Sequence, residues 1–377
     1  MARNIAGRVS VSNSNGVRPY GNSSLTWANA APGGTGAVSN LSASTTAFTN
    51  AVSHKTTTSQ QFLLNIQQQV GKNWSFEAGY QGAVTRHLYG FRNVNIATPY
   101  GYVGNGAATS VASRTPFPNM EGIQYVHDEG SGNYHAFSVK ANRRFSNGFN
   151  VIASYTFSKS LDDTSGVRSQ GNDQLFAQDN RCIACDYGPS AFDVRNRIVA
   201  SALYQLPIGP DKLVRVNSKL LNAVVGGWQV GALFTHQTGA IATPQLGVDN
   251  SSIQGAGGNY DRPNATGVSP YLSGSTRSLN NWVNKAAYVS AAPGFFGNVS
   301  RGSFTGPGFT NMDASLHKSF QMPYNEKHQL SIRFEAFNAL NHPNWNTPNL
   351  NFSSSTFGRI SGTGSMRQLQ LAAKYHF

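Results

Sequence analysis

The residues with the clearest capacity for chemistry are two cysteines three positions apart, Cys182 and Cys185. A Cys-x-x-Cys pair serves redox catalysis when it opens a helix within an α/β pattern, but Asp-Tyr-Gly-Pro at 186–189 ends any helix directly after it. We expect a small-ring disulfide in an oxidising exterior. Two free thiols are the second interpretation. Half of a zinc site is the third, because no second pair of Cys or His lies nearby.

Carboxylates and imidazoles form no catalytic or metal-binding motif in this sequence. Asp162, Asp163, Asp173 and Asp179 offer oxygen ligands, but the order of a calcium loop is absent, so we interpret them as solvated loop carboxylates. The nine His residues never take a metalloprotease spacing, and neither a nucleophile elbow nor a phosphate-binding glycine loop occurs. The sequence therefore predicts no enzyme activity, no cofactor and no metal site.

The composition favours a β protein with little charge. Of 377 residues only 12% are charged, about half the usual share, and 29 Lys+Arg against 16 Asp+Glu give a net charge of +13. The basic residues are scattered singly, which argues against a nucleic-acid partner. The 22 Phe and 15 Tyr are typical strand residues, and Gly, Asn and Ser supply turns and loops.

Apolar and polar residues alternate with period two in many segments, and this pattern predicts strands with one apolar face and one polar face. Several of them span about 11 residues, longer than strands of soluble sheets and long enough to cross a bilayer at a tilt. The predicted strands cover 62–70, 74–84, 120–127, 134–145, 149–160, 195–206, 227–238, 311–320, 329–336 and 368–377.

The connections between these strands alternate between short and long, as do the periplasmic turns and external loops of outer-membrane barrels. The prediction is an all-β, antiparallel transmembrane β-barrel of about 10–12 long strands, with a soluble β-sandwich as the alternative. The short connections are 71–73, 146–148 and 321–326, and the long ones are 161–192, 239–307 and 341–365.

Two segments fit the barrel pattern poorly. The segment 85–132 supplies one clear strand where up-and-down alternation needs an even number. Either part of 88–112 forms another strand, or 120–127 and 133–137 extend a hairpin above the membrane. We divide the chain into a loop-rich segment 1–58 with at most weak strands and a barrel segment 59–377.

Several short sequence motifs occur along the chain in a recognisable order. They resemble the C-terminal half of the Oar-like family of TonB-dependent receptors from Gram-negative outer membranes, over the chain from about residue 59 to its end. The motifs are Ala153–Asp163 (ASYTFSKSLDD), Asp186–Arg197 (DYGPSAFDVRNR), Gly226–Val230 (GGWQV), Phe337–Trp345 (FNALNHPNW), Phe357–Ile360 (FGRI) and a last strand ending in Phe377.

The resemblance implies a 22-stranded barrel that houses an N-terminal plug, of which this chain would supply the last strands. No plug, TonB box or signal peptide is visible in the sequence. The implied function is outer-membrane uptake of a scarce substrate of the siderophore, saccharide or peptide class. The implied partners are outer-membrane lipid, the plug, the remaining strands and, only through the plug, the TonB complex. The alternative is a small self-contained barrel or porin, or a surface adhesion module.

The resemblance also assigns roles to individual residues. Tyr375 and Phe377 would form the C-terminal signal that the assembly machinery reads in this family. Independently of the resemblance, we expect aromatic residues of the long loops to contact the ligand, because recognition residues concentrate in loops held by a rigid scaffold. We expect the chain alone to carry out no energised transport. The residues expected to face the lumen or the plug are Lys140, Arg144, Arg197, Arg333, Glu335 and Lys374, and the loop aromatics are Tyr260, Tyr271, Trp282, Phe295 and Phe296.

Overall fold

The computed structural model describes residues 46–50, 53–104, 110–118, 122–166, 176–210, 212–253, 261–322 and 325–377. Its main sheet contains eleven strands. The strands are β1 (Thr46–Asn50), β2 (Thr58–Val70), β3 (Trp74–Asn93), β4 (Gly122–Ser146), β5 (Phe149–Asp162), β6 (Gly188–Pro189), β7 (Asn196–Gln205), β8 (Ile208–Gly209), β9 (Val214–Arg215), β10 (Gln229–Gln237), β11 (Ile241–Ala242), β12 (Asn264–Ala265), β13 (Tyr288–Val289), β14 (Phe304–Thr305), β15 (Phe309–Met322), β16 (Asn325–Phe337) and β17 (Gln368–His376).

In the described ranges, short α-helices and 3-10 turns lie in four of the connections between the long strands. None of the helices in the described ranges is long and apolar enough to cross a membrane. The α-helices are α1 (Tyr100–Val103), α2 (Val111–Arg114) and α3 (Lys219–Val225), and 3-10 turns lie at Ile183–Asp186, Gly274–Thr276 and Lys285–Ala287.

The nine long strands form one antiparallel meander in the order β2-β3-β4-β5-β7-β10-β15-β16-β17. The short strand β1 pairs in parallel with β4, and β6 pairs with β5. Over the part of the chain that the structure describes, β2 and β17 do not pair, so the sheet is an open, partial barrel. The predicted all-β antiparallel barrel class is confirmed.

Tight turns connect β2 to β3 and β4 to β5 at one end of the sheet. Gly71 between β2 and β3 has a positive φ of 64°, and Asn147 and Gly148 between β4 and β5 have φ values of 52° and 76°. Asn and Gly enter the left-handed region at the lowest cost, so these residues fix the register of both hairpins. We call this end the turn end.

In the described residues of 85–132, β3 and β4 form a hairpin extension, and no additional crossing strand is present among them. β3 and β4 have 20 and 25 residues, and their pairing continues from the membrane-length part to Asn93 opposite Gln124. Register shifts at Arg86–Gly90 bend the extension, and His87 there has a φ of 59°. The second of the two sequence interpretations therefore describes this region.

The sheet has one apolar face and one polar face. Register places Tyr80, Phe137 and Phe157 in one row across β3, β4 and β5, and the residues between them along each strand are mostly polar. These aromatic side chains are exposed, as are most large apolar side chains of the nine long strands, which we call the wall. Such a face needs an apolar environment, which the hydrocarbon of a bilayer provides.

The hydrophobic core lies in the long connections and not in the sheet. We call the described residues of the connections 94–118, 163–195, 238–308 and 338–367, at the end opposite the turns, the loop cap. The small strands β11 and β14 pair within it, as do β12 and β13. The buried core residues are Ala242, Val283, Ala287, Tyr288, Val299, Phe304, Leu350 and Phe357.

Candidate functional site

The predicted lumen-facing residues share the polar face but do not form one cluster. Lys140 on β4 lies opposite Glu77, and Arg197 on β7 lies opposite Gln237 near the loop cap. Lys374 on β17 lies opposite Ser331. This face thus presents separate charges over much of the wall.

Two of these residues form an ion pair on β16. The Arg333 Nη1 atom lies 3.5 Å from Glu335 Oε1, and the two side chains are 55% and 25% exposed. An exposed pair of this kind contributes about 0–1 kcal/mol to stability. Arg144 lies at the turn end, where its backbone N–H donates to the carbonyl of Asn73. These charges therefore remain free to contact water or another protein surface.

The two cysteines lie in the loop cap, and the structure joins Cys182 to Cys185 in a disulfide. The N–H of Cys182 donates to the carbonyl of Asp179 at 2.9 Å, and the N–H of Cys185 donates to that of Cys182 at 3.1 Å. The Arg181 side chain binds Asp179 at 2.8 Å. The bridge thus closes one turn of the connection between β5 and β7.

A buried arginine ties the loop cap to the end of β5. Arg301 Nη1 donates to the backbone carbonyl of Asp162 at 2.7 Å and to its carboxylate at 2.9 Å. Arg301 Nη2 donates to the hydroxyl of Ser165 at 2.5 Å. The side chains of Arg301 and Asp162 are 5% and 4% exposed. This contact joins segments that are 139 residues apart in sequence.

A second and a third ion pair fix the connection between β5 and β7. Arg262 Nη2 lies 2.6 Å from Asp186 Oδ2, and both side chains are buried. Lys159 Nζ lies 2.8 Å from Asp193, whose other oxygen accepts the N–H of Ser160 at 2.6 Å. Together with Arg301, these contacts hold the cap rigidly over one region of the wall.

The sequence pattern missed these arginines, because no periodicity marks a loop residue. Arg301 lines a small pocket together with Asp163 and Asp186. Burial raises the pKa of Asp163, and the N–H and hydroxyl of Ser131, which donate at 2.7 and 2.9 Å, partly oppose that rise. Within the described ranges, no group of three His, Cys, Asp or Glu side chains could hold a metal ion.

The outer surface of the cap presents aromatic rings next to cations. Tyr271 is half exposed and stacks on Phe304 with ring centres 5.2 Å apart. The Arg277 guanidinium lies 4.7 Å above the Trp282 ring. Phe295 and Phe296 both contact Tyr102 of α1, and Tyr260 lies outside the described residues.

Comparison with known proteins assigns the chain to a family. A family model described as an outer membrane beta barrel domain matches residues 1–370. The chain belongs to this outer-membrane β-barrel family. Its location is the outer membrane of a Gram-negative bacterium, and the apolar face of the sheet meets lipid there. No curated protein sequence shows significant similarity to the chain.

Several solved structures are similar to the chain at low identity. The outer membrane transporter YddB from Escherichia coli is 14% identical with a TM-score of 0.48, and the match covers 89% of this chain and 34% of that protein. The FrpB iron transporter from Neisseria meningitidis is 12% identical with a TM-score of 0.41, covering 88% and 32%. The ferric-catecholate import receptor Fiu from E. coli K12 is 13% identical with a TM-score of 0.39, covering 86% and 28%. The chain spans about a third of their length.

Proposed function

We propose that the chain is the C-terminal part of the barrel of a TonB-dependent receptor of the Oar-like family, which takes up a scarce substrate. The substrate belongs to the siderophore, saccharide or peptide class. The partners are outer-membrane lipid, a plug and further barrel strands, and the TonB complex acts through the plug. The proposal assigns no catalytic step to any residue.

The observation that carries this proposal is the number of strands in the meander. Eight antiparallel steps separate β2 from β17, so these two edge strands run in the same direction. Closing the nine strands on themselves would require a parallel seam, whereas bacterial outer-membrane barrels have an even number of antiparallel strands. At least one further strand must therefore pair with the edges.

The edges require such partners inside a bilayer. The apolar residues Leu64 and Ile66 on β2 and Leu369 and Leu371 on β17 are exposed, as a lipid-facing wall requires. Unpaired backbone groups of an edge strand cost several kcal/mol each in hydrocarbon. Strands from the rest of a large receptor barrel would satisfy both edges at once.

The polar face supports a lumen that houses another protein element. Lys140, Arg333, Glu335 and Lys374 lie on it, and the Arg333–Glu335 pair is solvent-exposed. A plug inside the barrel would contact such charges by hydrogen bonds and ion pairs. The cap above it presents exposed aromatics on a rigid scaffold, the arrangement in which loops bind ligands.

Disulfide trapping tests how the edges are satisfied. Cysteines are placed at Leu64 or Ile66 on β2 and at Leu369 or Leu371 on β17, with Cys182 and Cys185 changed to Ser. The protein is then oxidised in outer membranes. We expect no intramolecular bridge between the edges. A bridge within a single chain would support the alternative, a small self-contained barrel or adhesion module.

Substrate uptake tests the energy coupling. The protein as its host produces it is compared with its deletion strain, in cells with and without TonB, using labelled siderophores, oligosaccharides and peptides. We expect uptake of one class to require both the protein and TonB. Uptake that persists without TonB would contradict the receptor proposal.

A further inference from the structure

A lysine lies on the lipid-facing side of the wall near the turn end. Lys318 on β15 is opposite Ile332 on β16, in the same alternation as Leu316 and Phe320. The side chain of Lys318 is buried, although the apolar residues around it are partly exposed. A lysine exposed to hydrocarbon is strongly unfavourable, so a neighbouring element must cover it.

Helix α3 covers this lysine from the outside of the barrel. Lys318 Nζ donates to the backbone carbonyls of Ala223, at 2.5 Å, and Val224, at 3.1 Å, near the C-terminal end of α3. The Trp228 indole N–H donates to the Val224 carbonyl at 2.9 Å. The Lys318 ammonium also lies 4.8 Å from the Phe320 ring. The carboxyl end of a helix favours a cation, which explains why the lysine is tolerated.

These contacts place α3 against the apolar face of the sheet and not against its polar face. The Trp228 ring lies 6.4 Å from that of Phe334, which belongs to the apolar row of β16. The helix is in the connection between β7 and β10, at the turn end. It therefore lies against the outer wall at the level of the membrane boundary.

The helix exposes apolar side chains at this position. Leu220, Leu221 and Val224 share one side of α3, because their spacing of one and four residues spans about 100° of the helix. They are 84%, 52% and 65% exposed, and Leu213, directly before β9, is 88% exposed. No other described element covers them. An apolar patch of this kind in a folded protein marks an interaction site.

Basic residues accompany the apolar patch. Lys212, Arg215 and Lys219 are exposed, and Asp211 is the one acidic residue between Pro207 and Trp228. A short apolar helix with Lys and Arg beside it is typical of segments that lie in the interface of an anionic bilayer. The charge thus complements phosphate headgroups.

We propose that Lys212–Val225, with α3 at its end, is a membrane-interface anchor that inserts its apolar side chains into the phospholipid leaflet on the turn side. The occupant of the exposed patch is the lipid surface. The basic residues contact its anionic headgroups, and α3 also shields Lys318 from hydrocarbon. This inference concerns the membrane contact of the barrel and does not depend on its substrate.

Site-directed spin labelling tests the anchor. The protein as its host produces it, with Cys182 and Cys185 changed to Ser, carries one label at Leu220→Cys, Val268→Cys or Leu371→Cys and is reconstituted in bilayers of phosphatidylethanolamine and phosphatidylglycerol. Val268 is an equally aliphatic, exposed control in the loop cap, and Leu371 reports the lipid-facing wall. We expect the labels at 220 and 371 to collide more with oxygen than with a water-soluble nickel chelate, and the label at 268 to do the reverse.

The outcomes separate this anchor from the barrel itself. A label at 220 that contacts water while the label at 371 contacts lipid overturns the anchor alone. Water contact at both positions contradicts insertion of the wall, and the anchor fails with it. In the variant Lys212→Gln/Arg215→Gln/Lys219→Gln we expect the label at 220 to lie less deep. A depth that is equal with and without phosphatidylglycerol, in both proteins, overturns the role of the basic residues.

Discussion

Replacing Arg301 by Met should loosen the loop cap. The change removes the partner of the Asp162 carboxylate, whose side chain is 4% exposed, together with the bonds to the Asp162 carbonyl and Ser165. Removing one partner of a buried ion pair lowers the free energy of unfolding by about 3–5 kcal/mol. The Ser165 hydroxyl still donates to Asp162 at 2.9 Å, so we expect the lower end, about 3 kcal/mol.

Amide hydrogen exchange measures this loss directly. A cost of about 3 kcal/mol corresponds to about two powers of ten in the opening equilibrium. We expect peptides from 186–193 and 297–306 to exchange faster by about that factor, while the β2–β5 wall stays unchanged. The variant Arg301→Met/Asp162→Asn removes the Asp162 charge that Arg301→Met leaves unpaired, so it should recover part of the protection from hydrogen exchange.

The matched control is Arg92→Met. Arg92 also binds a carboxylate, Glu129 at 3.1 Å, but the two side chains are 25% and 53% exposed. We expect a change of about 0–1 kcal/mol, because solvent screens an exposed pair. Equal exchange in the Arg301 and Arg92 variants would refute the conclusion that buried charge holds the cap to the wall.

Three further outcomes follow from single residues. Deleting Phe377 should reduce the amount of folded barrel, because it removes a terminal aromatic residue; heat-modifiable electrophoretic mobility measures this, and an unchanged level contradicts it. Cys182 and Cys185 should be protected from alkylation until a reductant is added, and mass spectrometry that finds both alkylated beforehand rejects the bridge. Burial raises the pKa of Asp261, so the folded cap binds its proton more readily than the unfolded chain does. The contribution of this group to cap stability should then increase as the pH falls through its raised pKa toward its ordinary value of 3.8, and Asp261→Asn should flatten this slope in pH-corrected exchange, whereas an identical slope would contradict it.

The strands of the wall were predictable from sequence because the environment imposes the pattern. Lipid on one side and water or protein on the other require strict alternation, as in Leu330 to Ala336, and the structure places these residues in β16. Apart from the extension of β3 and β4, the predicted strand ends differ from the observed ends by at most four residues. The extension of β3 and β4 stayed ambiguous, because residues of a hairpin outside the membrane meet water on both faces and lose the alternation.

The loop cap and the contacts of α3 could not be predicted in the same way. The core residues Ala242, Phe304 and Leu350 come from connections far apart in sequence and follow no period. One signal was available: the alternation of β15 puts Lys318 at an apolar position, and a charge there requires a local partner. The carbonyls of α3 are that partner.

The location of the hydrophobic core has a consequence for the biogenesis of the protein. Phe304 and Leu350 belong to separate connections, and they meet only after β15 and β16 stand side by side. A packed globule cannot pass through a forming sheet, so both connections must cross the membrane as extended chain. We therefore expect the packing that joins Phe304 and Leu350 in one core to follow the pairing of β15 with β16, on the far side of the bilayer. Until then, we expect Phe304, Leu350 and Phe357 to stay exposed, so that each molecule can contact unrelated apolar surfaces.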